Sequence, residues 1–183
     1  MKNLAAMLAM AAGLALTLAN SGAIAATECN GAPLSGTVTG RVVINAGDFC
    51  VLVGATIKGG VVVNQGGTLL ACNSTISGAI VANDASNILI GPEEVPNCSG
   101  NVLSGGLHIN NTGPGLLAPA PSISIENNVI QGGVHLTGNA GPIVVSANII
   151  DGGLFCKNNT FDLGDEGTPN VTITGEITCK FGS

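Results

Sequence analysis

An all-β chain folded as one parallel β-helix, a solenoid of about seven coils, is what this sequence predicts. Three observations carry that prediction. A short motif, aliphatic-x-Gly-x-aliphatic-x-apolar, recurs seven times with a base period of 19–20 residues. Apolar residues alternate within each copy and show no 3.6-residue stripe, so each copy reads as a strand with one buried face. Charged residues make up only 9% of the chain, and there is neither Trp nor Tyr. Gly, Asn, Ser, Thr, Val and Ile take their place, which suits short strands joined by tight turns.

Residues 1–25 precede the repeats. They carry Lys2, an apolar run from Leu4 to Leu18 and an Ala23-Ile24-Ala25 cleavage pattern, the layout of a secretory signal peptide. The run of about 15 residues is shorter than the roughly 20 a spanning helix needs. Residues 26–183 then form one mature domain. The alanine-rich leader suits a bacterial protein that is secreted, periplasmic or held at the cell surface.

The copies are "VTGRVVI" (38–44), "IKGGVVV" (57–63), "ISGAIVA" (76–82), "LSGGLHI" (103–109), "IQGGVHL" (130–136), "IDGGLFC" (150–156) and "ITGEITC" (173–179). The anchors at 38, 57, 76, 103, 130, 150 and 173 lie 19, 19, 27, 27, 20 and 23 apart, so three coils carry insertions. Between anchors lies a second apolar run: "CVLV" (50–53), "TLLAC" (68–72), "NILI" (87–90), "SISI" (122–125), "PIVV" (142–145) and "FDL" (161–163). Two or three short strands per repeat are the content of a β-helix coil, about 4.8 Å in rise, so seven coils span roughly 35 Å.

Two further columns follow from the alignment. Two residues after every anchor stands Gly: Gly40, Gly59, Gly78, Gly105, Gly132, Gly152 and Gly175. This predicts a bend with unusual backbone angles, or a close backbone approach. Seven residues after the anchors stand Asn45, Asn64, Asn83, Asn110, Thr137, Lys157 and Lys180. The four Asn predict a ladder of side-chain amides at a corner that tolerates the left-handed conformation.

"SISIENNVIQGGVHLTGNAGPIVVSANIIDGGLFC", with its I-x-I-x-x-N-x-I rungs, resembles the right-handed parallel β-helix repeat of the pectate-lyase-like superfamily. "VTGRVVINAGDFCVLVGATIKGGVVVNQGGTLL" is similar to the polymer-forming coils of bactofilins. The resemblance covers most of residues 34–180 and is architectural. It implies right-handed coiling and, as an alternative function, a small polysaccharide lyase or hydrolase. It does not carry activity, because fold and function are separable.

Six cysteines, Cys29, Cys50, Cys72, Cys98, Cys156 and Cys179, favour disulfides in an exported chain and allow 15 pairings. The repeat narrows them. Cys156 and Cys179 each lie six residues after an anchor, so they stack on adjacent coils. Stacked residues about 4.8 Å apart fall inside the disulfide window of roughly 4.4–6.8 Å. Cys72 and Cys98 lie six and seven residues before their coil glycines and become neighbours through a small bulge. Cys29 and Cys50 remain, about one coil apart. No CxxC occurs, which argues against a zinc or redox role.

Charge excludes some partners. Without Lys2 there are four basic residues, Arg41, Lys58, Lys157 and Lys180, against eleven acidic ones, a formal −7. Four scattered cations do not track a phosphate backbone or an anionic membrane, so nucleic acid and membrane surfaces are not expected partners. His108 and His135 share a register and should stack outward, either as a surface pair titrating near neutrality or as a two-His metal site lacking its carboxylate. Glu126 and Asp151 are the carboxylates nearest to a lyase or hydrolase pair, but the only arginine, Arg41, lies in the first coil. The insertions "GPEEVPN" (91–97), "GDEGTP" (164–169) and "NNTGPGLLAPAP" (110–121) fall at corners, where solenoids place binding loops. The acids in and beside them, Glu93, Glu94, Asp162, Asp165 and Glu166, match no calcium-loop spacing.

The sequence therefore predicts an exported, disulfide-stabilised β-helix with a structural or adhesive binding role toward glycan or surface protein, and room for end-to-end self-association. It predicts no catalytic motif, metal or cofactor site.

Overall fold

The computed structural model describes residues 25–116, 121–161, 163–164, 170–172 and 174–180. The expected leader, residues 1–25, lies outside them apart from Ala25, as do Asp162, residues 165–169 and the anchor Ile173. Among the described residues every paired segment is a strand, and no helix is long and apolar enough to cross a membrane.

Nineteen strands, numbered in chain order, divide between two sheets. The first holds β1 (Thr27–Glu28), β3 (Val42–Ile44), β5 (Val61–Val63), β8 (Ile80–Asn83), β11 (Leu107–Asn110), β14 (Val134–Thr137) and β17 (Leu154–Lys157), in that order. The second holds β2 (Leu34–Val38), β4 (Phe49–Ile57), β6 (Thr68–Cys72), β7 (Thr75–Ile76), β9 (Asn87–Ile90), β10 (Val102–Leu103), β12 (Ile123–Glu126), β13 (Val129–Ile130), β15 (Ile143–Ser146), β16 (Ile149–Ile150), β18 (Leu163–Gly164) and β19 (Val171–Thr172). All pairings are parallel. The architecture is all-β and consistent with a solenoid.

Strand β4 explains the size of the second sheet. Its residues 49–53 pair β6, and its Thr56 and Ile57 pair β7. The chain bends between the two halves at Gly54, with φ 60. In later repeats the bend separates two strands, and the left-handed residue there is Asn73, Asn127 or Ala147, with φ of 53, 59 and 53. Asn tolerates this conformation and Ala does not. Ala147→Gly is therefore expected to raise stability by about 0.5–1 kcal/mol in urea denaturation, by relieving that strain. A loss of stability would mean the site carries none.

The register follows the repeat. Val38 pairs Ile57, Ile57 pairs Ile76, Ile76 pairs Leu103, Leu103 pairs Ile130 and Ile130 pairs Ile150. The last step departs from the alignment. Ile150 pairs Thr172, one residue before Ile173. The offset is 22 at that pair and 23 at the bridge between Leu154 and Ile177, so an extra residue is absorbed between them.

Inward residues form unbroken columns. Ile44, Val63, Ala82, Ile109 and Leu136 occupy one, and Val42, Val61, Ile80, Leu107, Val134 and Leu154 another, all fully buried. Each large aliphatic side chain contributes roughly 1.5–3 kcal/mol of burial energy before entropy is counted. The coil glycines serve close approach, and Gly152 also takes a positive φ of 157. A Cβ on Gly59 would lie 2.6 Å from the Gly40 carbonyl oxygen, and one on Gly105 2.5 Å from the Ala79 nitrogen.

The expected corner ladder needs correction. Of the four Asn, Asn110 donates from Nδ2 to Asn83 Oδ1 at 3.1 Å, and no other bond joins that column among the described residues. The left-handed residue is the next one, Asp84, Asn111, Gly138 or Asn158. Asn83 and Asn110 end strands β8 and β11, Asn45 and Asn64 directly follow β3 and β5, and all four keep access to solvent, where water competes for the amides. The amide ladder forms elsewhere, two residues before the anchors. Asn101 Nδ2 donates to Asn128 Oδ1 at 2.9 Å, Asn128 Nδ2 to Asn148 Oδ1 at 3.0 Å, and Asn148 Nδ2 to Asn170 Oδ1 at 2.8 Å. Asn101, Asn128 and Asn148 are buried. A second ladder runs through Asn139 and Asn159, with Thr112 N–H donating to Asn139 Oδ1.

Three disulfides close the chain, Cys29–Cys50, Cys72–Cys98 and Cys156–Cys179, with Cα separations of 5.3, 4.8 and 4.7 Å. They are the set the spacing predicts, and they suit an oxidising compartment.

Candidate binding surface

The outer face of the first sheet is built from three columns. Between the two inward columns runs an outward one, Val43, Val62, Val81, His108, His135 and Phe155, one residue per repeat. On one side stand Gly60, Ala79, Gly106, Gly133 and Gly153; on the other stand Asn64, Asn83, Asn110, Thr137 and Lys157. The result is a ridge of valines and then aromatic rings, flanked by a column of small residues and a column of Asn, Thr and Lys. Acidic side chains are absent from the ridge between Val43 and Phe155.

His108 and His135 stack with ring centroids 4.9 Å apart and planes 10° off parallel; His135 stacks on Phe155 at 4.8 Å and 18°. Glycine makes room for the rings. A Cβ on Gly153 would lie 2.8 Å from Phe155 Cζ, and one on Gly133 3.1 Å from His135 Nε2. The stack does not suit a shared ion. Equivalent nitrogens of parallel rings lie about as far apart as the centroids, while two zinc–nitrogen bonds of about 2.1 Å reach little beyond 4 Å. Among the described residues no three His, Cys, Asp or Glu cluster around one point. Burial, and then the neighbouring His108, holds the His135 imidazole below its usual value. Its contribution to stability is therefore intact above about 6.5 and lost as pH falls through the folded value.

The carboxylates do not converge. Asp151 is exposed and accepts a hydrogen bond from the Thr174 hydroxyl. Arg41 is exposed beside β3. Glu126 is fully buried although it points away from the core. The 91–97 insertion lies over it: Glu93 N–H donates to Glu126 Oε2 at 3.3 Å, and Asn127 Nδ2 to Glu93 Oε1 at 3.2 Å. The Ser124 hydroxyl donates to Glu126 Oε1. This insertion is thus packed on the wall rather than extended into solvent. Of the other two, Leu116 is 80% exposed, residues 117–120 lie outside the described residues, and only Gly164 of 164–169 lies within them.

Desolvation raises the Glu126 carboxyl above its usual value against its two hydrogen bonds, and the neighbouring Glu94 and Glu93 raise it further. A raised acid stabilises the fold below its unfolded value of 4.5, and that contribution is lost as pH rises through the folded value. Glu126→Gln mimics the protonated acid, since its amide donates to Ser124 and accepts from Glu93. Chemical denaturation is expected to find the variant more stable than the parent at pH 8 and no more stable at pH 4. Parallel pH profiles would remove Glu126 from the account.

Sequence reasoning missed the buried Asn ladder and Glu126's cover. Asn128 was visible inside the I-x-I-x-x-N-x-I rung, and Asn148 and Asn101 hold the same place. The cover was not visible, because nothing local says where an insertion folds back. Comparison of the chain with protein families, curated proteins and solved structures gives no match.

Proposed function

We propose that this chain is an exported, disulfide-stapled parallel β-helix of about seven coils that binds glycan or a surface protein through its flat wall. The observation that supports this reading most is the outward column ending in the His108–His135–Phe155 stack, beside its column of small residues. A rigid wall holds side chains at steps of about 4.8 Å, so little ordering entropy is lost on binding. The leader-like N-terminus and the three disulfides support export. The first sheet ends at β1 on one side and at the Ile177 rung beyond β17 on the other, and parallel ends of this kind suit head-to-tail addition of a second copy, which concentration-dependent sedimentation reads directly.

A glycan array with product analysis on each hit tests the reading on oxidised protein. Binding without cleavage supports it, and His108→Val with His135→Val is expected to weaken the signal about tenfold. Silence on every glycan sinks the glycan arm and leaves a protein partner, assayed by pull-down from surface fractions. The second reading is a carbohydrate-active enzyme, favoured by the raised Glu126 acid and opposed by its cover. Cleaved products on the array would establish it.

A further inference from the structure

The ridge ends in a cavity of about 170 Å³, lined among others by Cys156, Lys157, Asn158, Phe161, Thr178 and Lys180. Two of the four basic residues beyond the leader meet there. Their meeting is built in by the fold. Each lysine directly follows one of the bridged cysteines, Cys156 and Cys179, whose Cα atoms are 4.7 Å apart. The bridge therefore sets the two lysines on neighbouring rungs, and both line the same cavity.

A third donor completes the set. The Thr178 hydroxyl accepts the Cys156 N–H at 3.1 Å, which leaves its own hydrogen free to donate. Two ammonium groups and a hydroxyl offer three donors. A carboxylate has two oxygens for them, whereas a sulfate or phosphate ester has three terminal ones. Lysine serves such groups as a point charge. Phe161, at 50% exposure, sets an aromatic face at the rim, on which the apolar C–H face of a sugar ring packs.

We infer that this cup binds a sulfate or phosphate ester carried on a sugar ring. The inference rests on the glycan-binding reading of the wall, and names the charged end of its ligand. It gives the lysine pair a role that a stripe of neutral side chains leaves empty.

The test is an array printed with each glycan in plain, sulfated and phosphorylated form, probed with the oxidised mature chain, with Lys157→Gln/Lys180→Gln and with Phe161→Ala. Both lysines are exposed, so the double variant is expected to fold. The expected result is signal on esterified glycans at least tenfold above the plain ones. It should fall about tenfold or more in the double variant and weaken steeply at 0.5 M salt. Hits confined to sulfated or to phosphorylated glycans identify the source of the ester. Equal binding of plain and esterified glycans, or signal unchanged in the double variant, overturns the cup and leaves the wall reading standing. Undiminished binding by Phe161→Ala, with full competition by inorganic phosphate, overturns the sugar ring. Silence on all glycans overturns the cup together with the glycan arm of the wall reading.

Discussion

Asn128→Ala is expected to destabilise the protein by at least about 4 kcal/mol, because one side chain serves four buried partners. Its Oδ1 accepts Asn101 N–H at 2.8 Å and Asn101 Nδ2 at 2.9 Å. Its Nδ2 donates to the Ile90 carbonyl at 2.9 Å and to Asn148 Oδ1 at 3.0 Å. Truncation orphans these groups at a site with no access to water, and each unsatisfied group costs about 1–3 kcal/mol. Asn128→Asp is sharper still. It keeps the shape but turns the Nδ2 donor into a charged oxygen facing Ile90 O and Asn148 Oδ1, so its loss should shrink as pH falls and the acid is protonated. The control is Asn83→Ala. Asn83 is exposed and shares one bond with Asn110, so its loss is expected within about 0.5 kcal/mol. Urea denaturation of the three variants decides between the ladders. A loss near 1 kcal/mol for Asn128→Ala would mean that relaxation or water replaces the bonds.

Removal of the terminal disulfide should have the second-largest effect, and a localised one. Cys156 and Cys179 close 23 residues, Cys29 and Cys50 close 21, and Cys72 and Cys98 close 26. Loops of that size restrict the unfolded chain by about 3 kcal/mol each. The three bridges are not equivalent in the folded state. Cys72–Cys98 ties the 91–97 insertion to the wall that it covers, while Cys156–Cys179 pins the last described rung, where Ile177 is bridged to Leu154 and has no named strand of its own. In Cys156→Ser/Cys179→Ser, hydrogen exchange is expected to accelerate in residues 154–157 and 174–180 at conditions where 76–109 stay protected. Faster exchange spread evenly along the chain would show that the bridge acts only through the unfolded state. The same variant should weaken the lysine cup, since the bridge sets the spacing of Lys157 and Lys180.

The Glu126 and His135 profiles bear on function as well as stability. Stability contributed by Glu126 declines as pH rises above 4.5, and that contributed by His135 declines as pH falls below 6.5. A binding assay therefore needs to be run at several pH values before a weak signal is assigned to the wall.

Period and alternation were enough to determine the parallel, all-β architecture. A strand side chain faces inward or outward by parity, and a parallel stack repeats that parity at each period. The same rule aligned Val38 through Ile150 and paired Cys156 with Cys179, because residues in one register must be neighbours, while Cys72 and Cys98 needed a bulge and Cys29 and Cys50 were the pair that remained. It placed His108 beside His135 for the same reason. Only the tertiary structure decided the rest. The alignment singled out the Asn column from Asn45 to Asn110, whereas the buried ladder forms in the column of Asn101, Asn128 and Asn148. Which amides count is set by exclusion of water, and that depends on the corner's depth in the assembled stack. Glu126 had outward parity and still became buried, because the 91–97 insertion folded back across it. The cup joins Phe161 and Asn158 at a corner to Lys157 and Lys180 on two rungs. Loops obey no parity, so their destination is fixed by packing against residues distant in sequence, and the chemistry of this surface lies where loops and rungs meet.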